Sequence, residues 1–251
     1  MQSCFCNVSL RTCFWLSFQD PVRWVDPLFP MPVLSCVVDH YHQIVVNTHV
    51  RRFHTTYAEY FNEKSTRALA DYFFEKIYTL EGKSERDELA VKTYNRFKGM
   101  LSEKSRERIE NLLLLNEITD ELDSQMADVI RKDKKYIVKH DGIEHVDLKK
   151  VHMLYRKAND PEARIRQLQL IILNLESFFE LSKHPLAGVV MRPVSLAART
   201  VGAIKLYRIF EEGYNATKPV SKDVFFEFTQ YVRGHETQFL EKAYKRHIHL
   251  L

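Results

Sequence analysis

Glycine and proline are scarce in this chain, at 7 and 8 of 251 residues. Sandwiches, propellers and dinucleotide-binding sheets need many tight turns, so the scarcity argues against all of them. Long helices with few connections fit better. No proline lies between Val33 and Asp160, which leaves that stretch free to be helical. Cys4, Cys6, Cys13 and Cys36 form no C-x-x-C pair, so zinc-ligand spacing is absent. A membrane span is missing too, since the apolar stretch 168–181 is short and holds Asn174 and Glu176. His235-Glu236 is followed by Thr237-Gln238-Phe239, so H-E-x-x-H fails at its second histidine. No G-x-S-x-G, G-x-G-x-x-G, Walker loop or Glu-x-x-His occurs. The commonest hydrolase, dehydrogenase, nucleotidase and di-iron chemistries are thereby removed, and no cofactor is implied.

What is present is a mixed-charge, moderately apolar chain. Its 37 basic and 33 acidic residues are interleaved, for a net charge of +4. Nucleic-acid binders concentrate positive charge on one face, so this balance argues against nucleic acid as a partner. An apolar content of 45% excludes global disorder. A chain of this length buries about 70–75% of its unfolded surface and folds without disulfide or metal.

Residues 1–30 differ from the rest. They hold both tryptophans, three cysteines and three prolines, but no Lys and no Glu. The first basic residue is Arg11, too late for a signal peptide's charged start. We expect translation to begin at Met31, with 1–30 an atypical extension that is untranslated or disordered. Residues 31–251 then form an all-helical domain. Only Cys36 would remain, which fits a reduced, cytoplasmic protein.

The pattern predicts an all-α single domain of about eight helices. Pro32 suits the first turn of a helix to Phe61. Thr66 caps one to Thr79, with Leu69, Tyr72, Phe73 and Ile77 on one face. Ser84-Glu85-Arg86-Asp87 is an acidic capping box opening a helix to Met100. Ser102 caps a long helix to Lys132. Its apolar run Leu112–Leu115 predicts a central position. Tyr136-Ile137-Val138 with the Asp141-Gly142 turn reads as a short hairpin or a loop. Asp147 caps a helix to Ala158. Asp160-Pro161-Glu162 starts one to Ser182. His184-Pro185 breaks it, and a short helix to Arg192 follows. Pro193 opens a helix to Thr217, in which Ser195, Ala197, Ala198, Gly202 and Ala203 allow close packing. The last helix spans about 222–247.

Tyr72-Phe73-Phe74-Glu75-Lys76-Ile77-Tyr78 resembles the signature of a bacterial family known by its FFLEELY motif. Arg86-Asp87 matches an Arg-Asp pair that follows the motif there. Thr56-Tyr57-Ala58-Glu59, Asn159 to Gln167, Pro185-Leu186, Met191-Arg192 and Phe210-Glu211-Glu212-Gly213-Tyr214 resemble further segments in the same order. The resemblance covers about Val37 to Leu240. It implies a helical protein and carries no activity. Lys76 departs from it, standing where the family has a second acid.

Several constellations point to chemistry. Asp39 and His42 are i, i+3 on the first helix and can supply a pair of metal ligands. His49 lies one further heptad along, about 10 Å away, too far to share that metal. Surface or capped histidines are the other reading. Cys36 has His40 four residues on, a nucleophile–base spacing, or it is a small buried residue. Glu75, Arg86 and Asp87 are the candidates for catalysis. Arg86 can also pin its helix to the motif helix through a carboxylate such as Glu75. Tyr72, Phe73, Phe74 and Tyr78 fill the core or line a pocket. Lys242, Lys245, Arg246, His247 and His249 complement a helix C-terminus.

The leading expectation is non-catalytic binding of a protein partner or small ligand, with homo-oligomers allowed. The alternatives are an unrecognised enzyme around the motif helix and a metal-dependent helical protein using Asp39 and His42.

Overall fold

The computed structural model describes residues 39–184, 195, 198–200 and 202–250. The expectations for residues 1–38, including the Pro32 helix start and Cys36, lie outside it. So do those for Pro185 to Arg192 and for the Pro193 opening.

Asp39 caps α1 (His40–Thr56), its carboxylate accepting from the N–H of Tyr41 and His42. The long first helix expected from sequence is broken. Tyr57 leaves helical geometry at φ −113°, ψ 27°, and α2 (Ala58–Asn62) follows. The cause lies in the far half of the chain. The Tyr57 hydroxyl donates to buried Glu236 at 2.6 Å, and Arg52 holds that carboxylate with two bonds of 2.9 and 2.7 Å.

Thr66 precedes α3 (Arg67–Tyr72) but does not cap it. Its hydroxyl donates to the carbonyls of Tyr60 and Glu63 instead. From Phe73 to Ile77 the helix widens into a π turn, closed by Tyr78 N–H to Phe73 O at 2.8 Å. An added residue rotates everything after it by about 100°. Ile77, predicted inward, is 37% exposed, and Tyr78 points inward in its place.

Gly82, at φ +61°, turns the chain into α4 (Lys83–Phe97), so the predicted Ser84 box is not the start. Ser102 caps α5 (Glu103–Lys132) as expected. The predicted hairpin exists: β1 (Ile137–His140) pairs antiparallel with β2 (Ile143–Val146) across Asp141-Gly142, both at positive φ. Asp147 caps a 3-10 turn leading into α6 (Val151–Ala158). Asp160 caps α7 (Pro161–Lys183), α8 is Ile204–Thr217, and Ser221 caps α9 (Lys222–Tyr244).

The main core draws on α1, the second half of α5, β2, α6, α7 and α9, with Ile44, Met126, Ile130, Leu154 and Leu168 at its centre. α5 is central as expected, packed against α1, α6 and α7, but its burial is uneven. Its buried residues are Leu122, Asp123, Met126, Ala127 and Ile130, whereas Leu112 is 52% exposed and Leu113–Leu115 are half-buried. The apolar run thus lies outside the most buried part of the helix. No helix of the described residues is long and apolar enough to cross a membrane.

Candidate functional site

A polar face runs along α5. Asn116, Thr119, Asp120 and Asp123 stand at i, i+3, i+4 and i+7, and so share one side of the helix. Opposite them α1 presents His42, Val46 and His49 at the same spacing. The end of the π turn, Ile77 to Leu80, and Lys83 at the head of α4 close the gap. Together these segments line a partly open chamber of about 40 Å³. That is room for about three waters.

Lys83 is the charged anchor. Its ammonium donates to Asn116 Oδ1 at 2.9 Å, to Asp120 Oδ2 at 2.9 Å and to Asp87. All three protons are used. The Asn116 amide donates back to Asp87 at 3.2 Å. Burial pushes the Asp120 carboxyl above the usual carboxylate range. Asp87 and Asp123 push the same way, and Lys83 opposes them.

A second network stands behind the chamber wall. The Tyr78 hydroxyl donates to Asp123 Oδ2 at 2.8 Å. Asp123 Oδ1 lies 3.6 Å from His49 Nε2 and 3.8 Å from the Arg164 guanidinium. The Tyr155 hydroxyl lies 3.4 Å from His49 Nδ1. His49, Asp123, Tyr155 and Arg164 are all buried. Burial opposes the Asp123 charge, but His49, Arg164 and Tyr78 outweigh it and hold the carboxyl below its ordinary value. Burial lowers the His49 imidazole, with Arg164 and Arg52 adding to the effect and Asp123 opposing it. Burial and the Asp123 charge hold the Tyr78 phenol well above its ordinary value. Tyr155 can donate to Nδ1 of a neutral His49, whereas His49 Nε2 and Asp123 Oδ1 face each other at 3.6 Å, too far for a hydrogen bond, and both are buried without a partner among the described residues.

The predicted site residues fall in three places. Asp39 and His42 do meet: His42 Nδ1 is 3.0 Å from Asp39 Oδ1, and His42 Nε2 is 3.0 Å from Ser124 Oγ. Arg131 takes the other Asp39 oxygen. His42 lines the chamber, and both His42 and His49 are buried rather than at the surface. Among the described residues no group of three or more His, Cys, Asp or Glu could hold a metal. Arg86 and Asp87 stand just outside the chamber, with Asp87 joined to it through Lys83. Glu75 is exposed on the π turn and does not join them.

Arg86 pins the motif segment to α4, but not through Glu75. Its guanidinium donates to the carbonyls of Lys76 at 3.0 Å and of Ile77 and Thr79 at 3.3 Å. A helix end leaves such carbonyls without partners, so they are better acceptors here than a side chain on the far face. Of the motif aromatics, Tyr78 lines the chamber. Phe74 packs against Phe53, His54 and Phe61, and Tyr72 lies against Gly213.

Lys83, Asp120 and Asp123 were missed from sequence. The signal was available: polar residues at 116, 119, 120 and 123 interrupt a helix read as central, and buried polar groups need partners. The basic C-terminal residues instead surround an open hollow of about 480 Å³, where Arg246 pairs with Glu162 and His247 with Glu241.

A family model described as a domain of unknown function (DUF8198) matches residues 39–249. The chain belongs to that family. No curated protein and no solved structure matches it.

Proposed function

We propose that this protein binds a small polar ligand in the chamber between α1, α4 and α5, without transforming it. One observation carries the reading: side chains from four separate segments converge on one partly open hollow, with Lys83 held between Asp87 and Asp120 at its edge. The inner part of the chamber has room for about three waters, so a larger ligand would extend toward solvent or displace the Ile77–Leu80 wall. Pockets for ordinary small molecules are roughly 300–1,000 Å³, whether or not the molecule is transformed, so the ligand here is a small one. A cytoplasmic location, a bacterial source and kinship with the FFLEELY-motif proteins belong to this proposal. The last rests on Tyr72–Tyr78, whose final residue forms part of the chamber wall.

Weighing the native protein from its own cells against its denatured mass tests the reading. A surplus that disappears in Asp120→Asn supports the chamber as the site. A bare mass, or a surplus indifferent to the substitution, overturns it.

An enzyme is the second reading, favoured by the raised Asp120 carboxyl beside Lys83. An upward-shifted carboxyl beside a lysine is a candidate for proton transfer. Re-weighing the loaded protein after incubation separates the two: an unchanged ligand supports binding, and a changed one supports Asp120 as acid or base.

A further inference from the structure

The two edges of the β-hairpin are treated differently by the rest of the fold. Tyr136 O accepts from Asp147 N–H, so 136/147, 138/145 and 140/143 are the hydrogen-bonded pairs of the ladder. Residues 137, 139, 144 and 146 therefore turn their main-chain groups outward. On β2 these are met by α1: Asn47 donates to Glu144 O at 2.9 Å, and Val146 N–H donates to Thr48 Oγ1 at 2.8 Å. On β1 only Ile137 N–H is used, by Lys134 O. Ile137 C=O and both main-chain groups of Lys139 have no partner among the described residues.

We infer that this open edge pairs with the same edge of a second copy of the chain, as a weak twofold dimer. The charges select the register. Centring the antiparallel pair on Lys139 sets two lysines directly opposite, which is unfavourable. Centring it on Val138 sets Val138 against its symmetry mate, and Val138 is 36% exposed in the single chain. Each Lys139 N–H then reaches Ile137 C=O of the other copy. Each Lys135 then comes beside the Asp141 of the other copy; the two side chains are 63% and 84% exposed, and each shares its charge with a local partner, Asp133 at 2.6 Å and His140 at 2.7 Å. Opposite charges thus flank an apolar contact at the axis. A four-residue edge buries less than the roughly 1,600 Å² of a standard interface, so the dimer is concentration-dependent.

Sedimentation velocity of the full chain, from about 5 to 500 µM, is the test. Self-association is expected. Val138→Asp should weaken it about tenfold or more, and Lys135→Glu should weaken it at low salt. Lys135→Glu combined with Asp141→Asn should recover part of that loss, because the introduced like-charge contact is gone. Thermal melts of each variant establish that the fold is kept. A chain that stays monomeric throughout overturns the inference. So does a dimer insensitive to Val138→Asp and to Lys135→Glu, including one held by another surface.

Discussion

Two regions of this domain are built to different standards. Around α6, β2, the second half of α5 and the end of α9, one cluster gathers fifteen buried apolar residues. Next to α3 and α8 the described clusters are small, with three buried residues each: Phe179, Val220 and Phe225, against which Leu69 of α3 packs, and Ala198, Ala203 and Tyr207. α3 and the π turn bury none, and α4 buries only Tyr94. The chamber sits on the boundary. Its back wall, α1 and α5, belongs to the well-packed region, and its front wall, Ile77 to Leu80, belongs to the sparse one. Ligand-binding walls are drawn from the low-stability end of a structure. The segment resembling a family signature is thus the thinly packed one, and what it sends inward is the Tyr78 hydroxyl rather than apolar bulk.

The largest contrast should come from charge. Asp123→Asn leaves the buried Arg164 without its carboxylate and is expected to cost about 3–5 kcal/mol. Asp71→Asn breaks the exposed Arg67–Asp71 pair on α3 and should change stability by no more than about 0.5 kcal/mol. Urea unfolding of both variants measures the difference. Similar losses would mean that the α3 region is as tightly built as the core.

Truncating apolar residues repeats the test within α5 and α6. Leu154, fully buried, should lose about 2–5 kcal/mol on becoming alanine. Leu112, half exposed, should lose about 0.5 kcal/mol or less. A large Leu112 loss would show that the first half of α5 is covered after all.

Gly213→Ala sharpens the comparison inside the sparse region. A Cβ there would lie 2.5 Å from Tyr72 Cζ. Overpacking costs about 1–3 kcal/mol, and the gain in helix propensity returns about 1 kcal/mol. A soft neighbourhood lets the Tyr72 ring swing aside, so thermal melting should show a net loss of about 1 kcal/mol or less. A loss near 3 kcal/mol would mean that the ring is held.

The same division explains what the sequence revealed. Helix starts were legible at Ser102, Asp160 and Ser221, where a side chain reaches its own backbone, but not at Asp39, which caps α1 and was read as lying within a helix from Pro32. These contacts are local, and residue type decides them. The break at Tyr57 was not legible, because Glu236 causes it from 179 residues away. The π turn was equally hidden, since 3.6-residue periodicity assumes no inserted residue. For the site, Asp39, His42, Arg86 and Asp87 were named as two unrelated pairs. Nothing in the sequence said that α1 and α4 meet across α5. Lys83 and Asp120 were passed over because a lysine and an aspartate on charged helices read as solvated faces. Glu75 was chosen from its place in the motif, and the π turn leaves it in solvent.

The last expected effect is one of pH, in which opposing groups leave only a small net change. His49 titrates below its unfolded value, so the unfolded chain binds the proton first. Its contribution to stability is complete above about pH 6.5 and is lost as pH falls below that, at up to about 1.4 kcal/mol per unit. His152, whose imidazole is lowered by burial and by Lys242, Arg52 and Arg156, acts in the same direction. Asp120 acts in the opposite direction. Its raised carboxyl carries a penalty at neutral pH that is relieved as pH falls through its folded value. Unfolding free energies at pH 7.5 and 5.5 should therefore fall with acid in the native chain, and less so in His49→Gln. An unchanged difference would mean that His49 takes a proton as readily in the folded chain as in the unfolded one. The well-packed side of the boundary would then be as open to solvent as the motif side, and the contrast between the two regions would end at α5.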